Sequence, residues 1–156
     1  MDDQDTRTLE EALDGERIVM LTTEDLRARP MSVQEVDGRD LWFLTDGSAG
    51  WVAGLRENQP VAATVSDPGD GVFVSLTGRA ATTRDDDVLD RLWDPAMEAW
   101  FDGRDDPNLV ALRITAEDGE YWDGPDTGIG RVVKGLTSVV TGEGRRIMGE
   151  QGDVAT

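Results

Sequence analysis

The stretch Arg27–Ser48, RARPMSVQEVDGRDLWFLTDGS, decides how this chain folds. Residues 27–36 and 40–45 have the composition of strands and Asp37-Gly38 lies between them, so the segment reads as one hairpin. Asp-Gly supplies the positive φ angles that tight hairpin turns require. Pro30 has no N–H to give a ladder and belongs at an edge, a strand start or a bulge. TDGSAG then opens a helical pattern at Trp51–Glu57, in which Trp51, Val52 and Leu55 share one face over about two turns. A strand running into a helix N-terminus aims free backbone N–H groups outward, which suits an anion such as a phosphate. Thr45, Asp46 and Ser48 are also ordinary turn and N-cap residues, and capping alone accounts for them.

Before the hairpin, residues 6–14 read as a short helix with Leu9, Ala12 and Leu13 on one face, a Thr8/Glu11 capping box, and Gly15 as its stop. Ile18–Thr23 is an apolar run of strand length, read as a buried central strand, and Glu24-Asp25 turns it into the hairpin. After the hairpin, Val61–Asp67 reads as a strand and Pro68–Gly71 as a turn. Val72–Thr82 alternates cleanly, with Val72, Val74, Leu76, Gly78 and Ala80 on one face, the pattern of a half-buried antiparallel strand. Asp85-Asp86-Asp87 lacks the spacing of a calcium loop and reads as an acidic helix start, followed by the stripe Val88, Leu89, Leu92, Trp93. Pro95 restarts a short helix carrying Met97, Trp100 and Phe101. Leu109–Thr115 and Glu120–Trp122 read as two further strands, and Ile129–Val140 as a helix. Residues 1–142 form one expected domain, and 143–156 a polar tail.

Six or seven short, mostly antiparallel strands with helices at the ends and in one long crossover give a mainly β fold, a small β-barrel with peripheral helices. Periodicity alone does not choose between barrel, sandwich and open sheet. The chain has no cysteine and no histidine, so disulfides, thiolate sites and the commonest general base are excluded, and only oxygen-ligand metals would suit. No metal site is expected. A net charge of −18 disfavours nucleic acid and anionic membranes as partners. Fourteen of the fifteen basic residues are arginine, a bias that a salt-loving or high-GC source explains without any function. The polar N-terminus and the lack of a spanning apolar run set the expectation of a cytoplasmic protein.

The ordered set RPM, LWFLTD, GVFVSLTGRA, WDPAMEAWF and EYWDG over residues 8–142 resembles the pyridoxamine 5′-phosphate oxidase-like flavin-binding split-barrel family, and within it the bacterial general stress protein branch. That resemblance implies a split barrel, a homodimer, and an FMN site in each of two clefts between the subunits. By position it implies Arg29 at the start of the first flavin-contacting strand, with Met31 and Ser32 along the isoalloxazine edge. Gln34 stands where the oxidase keeps a substrate-binding lysine, so oxidation of vitamin B6 is not expected. Thr45 and Asp46 match the start of the phosphate loop, with Ser48 near the family's serine. Trp122 matches a tryptophan that reaches the flavin from the partner subunit. Ala49, Gly50 and Trp51 occupy the positions where the family places a serine and basic residues on the phosphate. The activity implied is a flavin-dependent oxidoreductase of unstated substrate, and the alternative is a barrel without tight flavin binding that works as a dimeric binding or stress-response module.

Overall fold

The computed structural model describes residues 7–13 and 15–122 and the backbone of 123 and 129–131. Its elements run α1 (Leu9–Leu13), β1 (Ile18–Thr22), β2 (Ala28–Ser32), β3 (Glu35–Asp37), β4 (Asp40–Asp46), α2 (Gly50–Ala53), β5 (Gln59–Asp67), β6 (Val72–Thr83), α3 (Asp86–Leu92), a 3-10 helix (Pro95–Ala99), β7 (Leu109–Asp123) and β8 (Ile129–Arg131). The opening stretch is not one hairpin. Its first half, β2, folds back on β1, with Arg29 opposite Leu21 and Met31 opposite Val19. Only β3 pairs with β4, across a turn in which Gly38 takes φ 62°. The change of partner occurs between two residues: Val33 N donates to Arg17 O at 2.7 Å, and Gln34 N to Trp42 O at 2.8 Å.

Those two residues close the fold. All strands form one antiparallel sheet in the order β2-β1-β5-β6-β7-β4-β3, with β8 added to β7. The outermost strands of that path, β2 and β3, are consecutive in the chain. A sheet whose edges are tied by two residues must curl to bring them together, which gives the split β-barrel. The expected strands at 109–115 and 120–122 are one strand of 15 residues, because β6 pairs with it along its whole length. The turn-like AEDG between them is a bulge: Thr77 faces Asp118 and Gly78 faces Ala116, leaving Glu117 as the extra residue. The expected helix at 129–140 begins as a strand at 129–131, and its remainder, like the tail after 142, lies outside the described residues.

Alternating residues fill the interior. Val19, Leu21, Leu41, Phe43, Leu76 and Ile114 are fully or nearly fully buried there, and α1 plugs the barrel with Leu9, Ala12 and Leu13. β1 is central in the sheet but buried on one face only, since Ile18 and Met20 stand outside. β4 is covered on both. Leu41 and Phe43 point inward, while Trp42 and Leu44 pack outward on Leu89 and Leu92 of α3. A strand apolar on both faces has no alternation, which is why LWFL reads as a continuous run. The capping box expected at α1 is present, and the acidic helix start expected at Asp85–Asp87 opens α3 with Asp85 as its cap. Thr8 and Glu11 exchange bonds of 2.9 and 3.1 Å, and Asp85 Oδ1 accepts from the N–H groups of Asp87 and Val88. At α2 the structure differs: the helix is a single turn capped by Ala49 with no side-chain bond, and it ends at Gly54. Two glycines in so short a segment leave too little propensity to extend it.

Candidate functional site

β2, the end of β4 and the 3-10 helix with the residues after it border an open cleft of about 640 Å³. One wall is the β1–β2 face, where Ile18 lies opposite Ser32 and Met20 opposite Pro30. β4 contributes its last three residues, Leu44, Thr45 and Asp46. The third wall carries Met97, Trp100 and Phe101, with Asp94 and Ala96 at its start. Pro95 and the Asp94 cap set this wall, since Asp94 Oδ1 accepts from Ala96 N at 2.8 Å and starts the 3-10 turn. Ile18 is 53% and Trp100 76% exposed, so two large apolar side chains stand open at the cleft.

Of the eight site residues expected from the sequence, Met31, Ser32, Gln34, Thr45 and Asp46 line this one cleft. The Gln34 amide nitrogen lies 3.5 Å from Ser32 Oγ. Asp46 Oδ1 accepts from Ser48 Oγ at 2.6 Å and Ser48 N at 2.8 Å. Those two bonds, side chain first, hold the Asp46 carboxyl below its ordinary range, so it stays ionised. Ser48 is therefore the donor that fixes Asp46 and not the cap of α2.

Arg29 and Trp122 lie outside that lining. Arg29 is on the inner side of β2, where Nη1 donates to Thr23 Oγ1 at 2.9 Å and Nη2 pairs with Asp25 Oδ2 at 3.3 Å. Its guanidinium stacks on the Trp51 ring, 4.8 Å from the centroid. Asp25 also accepts from the Thr23 hydroxyl and from Arg27 N, and these bonds, with Arg29 behind them, lower its pKa to about 2. Trp122 sits near the end of β7, half-buried, opposite Phe73 of β6 and Ile129 of β8. Tyr121 points the other way, into the core.

Sequence reasoning missed Arg17, Ile18, Leu44 and the Asp94–Phe101 wall as parts of the site. A signal was present in WDPAMEAWF, whose three large side chains after Pro95 exceed what one short helix can bury. Glu16, Asp67 and Asp70, far apart in the chain, bring one carboxylate oxygen each within 4.8 Å of one another, and no motif announces the cluster. Among the described residues no helix is long and apolar enough to cross a membrane.

The sequence pattern described as Pyridoxamine 5′-phosphate oxidase like matches residues 4–145. The chain belongs to this family. Its likeness within the pyridoxamine 5′-phosphate oxidase-like proteins is to the general stress branch. The chain is 44% identical to General stress protein 26 of Bacillus subtilis over 46 residues, which is 30% of this chain and 33% of that relative, so the match spans about a third of its length. The solved structure of a general stress family protein from Xanthomonas campestris pv. campestris is 32% identical with a TM-score of 0.66, covering 83% of this chain and 91% of that one. The general stress FMN/FAD binding protein of Xanthomonas citri is 31% identical with a TM-score of 0.65, covering 83% and 93%. The chain is thus a general stress split-barrel protein.

Proposed function

We propose that the cleft between β2, β4 and the 3-10 helix binds a flavin, and that the chain is a flavin-dependent oxidoreductase acting as a homodimer. The observation that carries this reading is the convergence of Met31, Ser32, Gln34, Thr45 and Asp46, from two segments, onto one cleft with an aromatic wall. A planar tricyclic ring matches a slot of this volume walled by Met97, Trp100 and Phe101. When bound, a flavin supplies hydride and one-electron chemistry. The protein's share is to place the ring and exclude water. The strand backbone at Ser32, a non-hydrogen-bonded position of the β1–β2 ladder, offers a donor and an acceptor to the ring edge, Met31 contributes beside it, and Gln34 adds an amide. With neither His nor Cys in the chain, and with Tyr121 in the core, the acid–base groups lining the cleft among the described residues are the Asp46 and Asp94 carboxylates. In the dimer, Trp122 of one copy would close the cleft of the other, and Arg29 would act on it through the Thr23–Asp25 turn it braces.

The absorption spectrum of the protein purified without added cofactor tests the reading, followed by a titration with flavin. Visible flavin bands, or quenching of flavin fluorescence on addition, are expected. A colourless protein that leaves added flavin unquenched sinks it. Sedimentation giving only monomer mass at micromolar protein would remove the shared cleft. One observation favours the second reading, a dimeric binding module without tight flavin binding. Ala49 and Gly50 offer no side-chain donor at the phosphate loop, and Trp51 is occupied by the Arg29 guanidinium.

A further inference from the structure

Resting on the flavin reading, we infer that Arg84 holds the flavin's phosphate, reaching it where Gly47 leaves the loop after β4 without a side chain. Arg84 follows the last residue of β6. Its Nη1 donates to the Pro107 carbonyl and lies 3.5 Å from that of Leu109, in the segment that enters β7 beside the end of β4. Gly47 N donates to Asn108 O at 2.7 Å, so the loop is fastened to the same stretch, 107–109, as the guanidinium. The two lie against each other: a carbon built at Gly47 would be 2.9 Å from Arg84 Nη2. Any side chain at 47 would push the guanidinium away, and it would also meet Val110 Cγ1 at 2.8 Å.

A guanidinium has N–H donors on all three nitrogens, and among the described residues Arg84 bonds through Nη1 alone. Nη2 and Nε keep theirs for an anion. Arg84 borders a notch of about 200 Å³, lined also by Gly47, Thr82 and Thr83 and by residues of α2. The Thr83 hydroxyl oxygen accepts from Asp85 N at 3.0 Å and keeps its own hydrogen to donate. Notch and cleft share the loop after β4, since Asp46 lines the cleft and Gly47 the notch. Consecutive Cα atoms are about 3.8 Å apart, so a ligand tail that leaves the cleft past Asp46 meets Arg84 within one residue. The charge balance favours a cation at this point. Asp46 Oδ1 takes both donors of Ser48, so the loop's hydroxyl is spent on a carboxylate that itself repels a phosphate. A guanidinium offsets that repulsion with a planar fork that fits phosphate oxygens, and its charge-assisted bonds are roughly twice as strong as neutral ones.

Fluorescence titration of the full chain with FMN and with riboflavin, which shares the ring and lacks the phosphate, tests the assignment. The wild-type chain is expected to bind FMN at least about tenfold more tightly than riboflavin. Arg84→Gln should weaken FMN about tenfold and change riboflavin by less than about twofold. Arg84→Lys, which keeps the charge and loses the fork, should fall between. Equal weakening of the two ligands by Arg84→Gln overturns the inference, because Arg84 would then act by bracing the 107–109 segment and not on the phosphate. A wild-type chain without preference for FMN, or an Arg84→Gln variant that binds FMN as the wild type does, also overturns it and leaves the flavin reading standing. Binding of neither ligand by the wild-type chain overturns both. If Arg84→Gln does not fold, Gly47→Ala gives the same reading: its methyl group displaces Nη2 and should weaken FMN while sparing riboflavin, and equal loss of the two overturns the inference.

Discussion

Replacing Gly78 with alanine tests the geometry of the bulge on which the second half of β7 depends. A methyl carbon built at Gly78 would lie 2.2 Å from the Thr115 carbonyl oxygen and 2.9 Å from its carbon. Both are backbone atoms, so no side chain can swing away. To reach ordinary contact the two strands must part by roughly 1 Å at the point where Thr77 faces Asp118 and Gly78 faces Ala116. Overpacking of this kind costs about 1–3 kcal/mol, and weakening the adjacent ladder bonds adds about 1 kcal/mol each. A loss of about 3 kcal/mol follows, or roughly 9 °C in Tm for a domain of this size. Gly50→Ala is the control, since an added carbon there meets nothing within 4 Å. It should be neutral or stabilising by up to about 1 kcal/mol. Urea unfolding of the two variants, followed by circular dichroism, makes the comparison. If Gly78→Ala loses less than about 1 kcal/mol, the strands are not held at the spacing described and the bulge is plastic.

Asp85 accepts from two N–H groups at the start of α3, so Asp85→Ala should cost about 1–2 kcal/mol by thermal melt, and Asp85→Ser should recover most of it. The Asp25 carboxyl should titrate near pH 2 by NMR. Because its folded pKa lies below the unfolded value of about 3.9, its contribution to stability is present above that value and fades as pH falls toward 2. Thr23→Val removes the largest cause of the shift and should move the midpoint upward, whereas an unchanged midpoint would refute the assigned cause. With 33 acidic against 15 basic residues, added KCl should raise Tm by relieving self-repulsion, and a flat or falling response would show that the acidic groups are already dispersed or paired.

What the sequence determined by itself is local. The Thr8/Glu11 box, the acidic helix start at Asp85–Asp87, the positive-φ turn at Gly38 and the inward face Val74, Leu76, Gly78, Ala80 all depend on residues within a few positions of one another. The ordered motifs extended that legibility to the family and the split barrel, because together they span most of the chain. They also placed Met31, Ser32, Gln34, Thr45 and Asp46 in one group before any geometry was available. Only the tertiary structure decided which strand takes β2. Backbone groups of Arg27–Val33 bond equally well to any extended neighbour, and the choice of β1 over β4 rests on burying Val33 in the barrel interior and packing Met31 against it. The same is true of β7, where a turn-like AEDG stays in the ladder because β6 offers partners along its whole length. The cleft is tertiary as well. Arg17, Leu44 and Trp100 are far apart in the chain, and no local pattern records that curling the sheet brings them to one opening. The state of Arg29 follows the same logic: its partners Thr23, Asp25 and Trp51 come from the turn before it and a helix after it, and their convergence turns an arginine free in sequence into one already engaged.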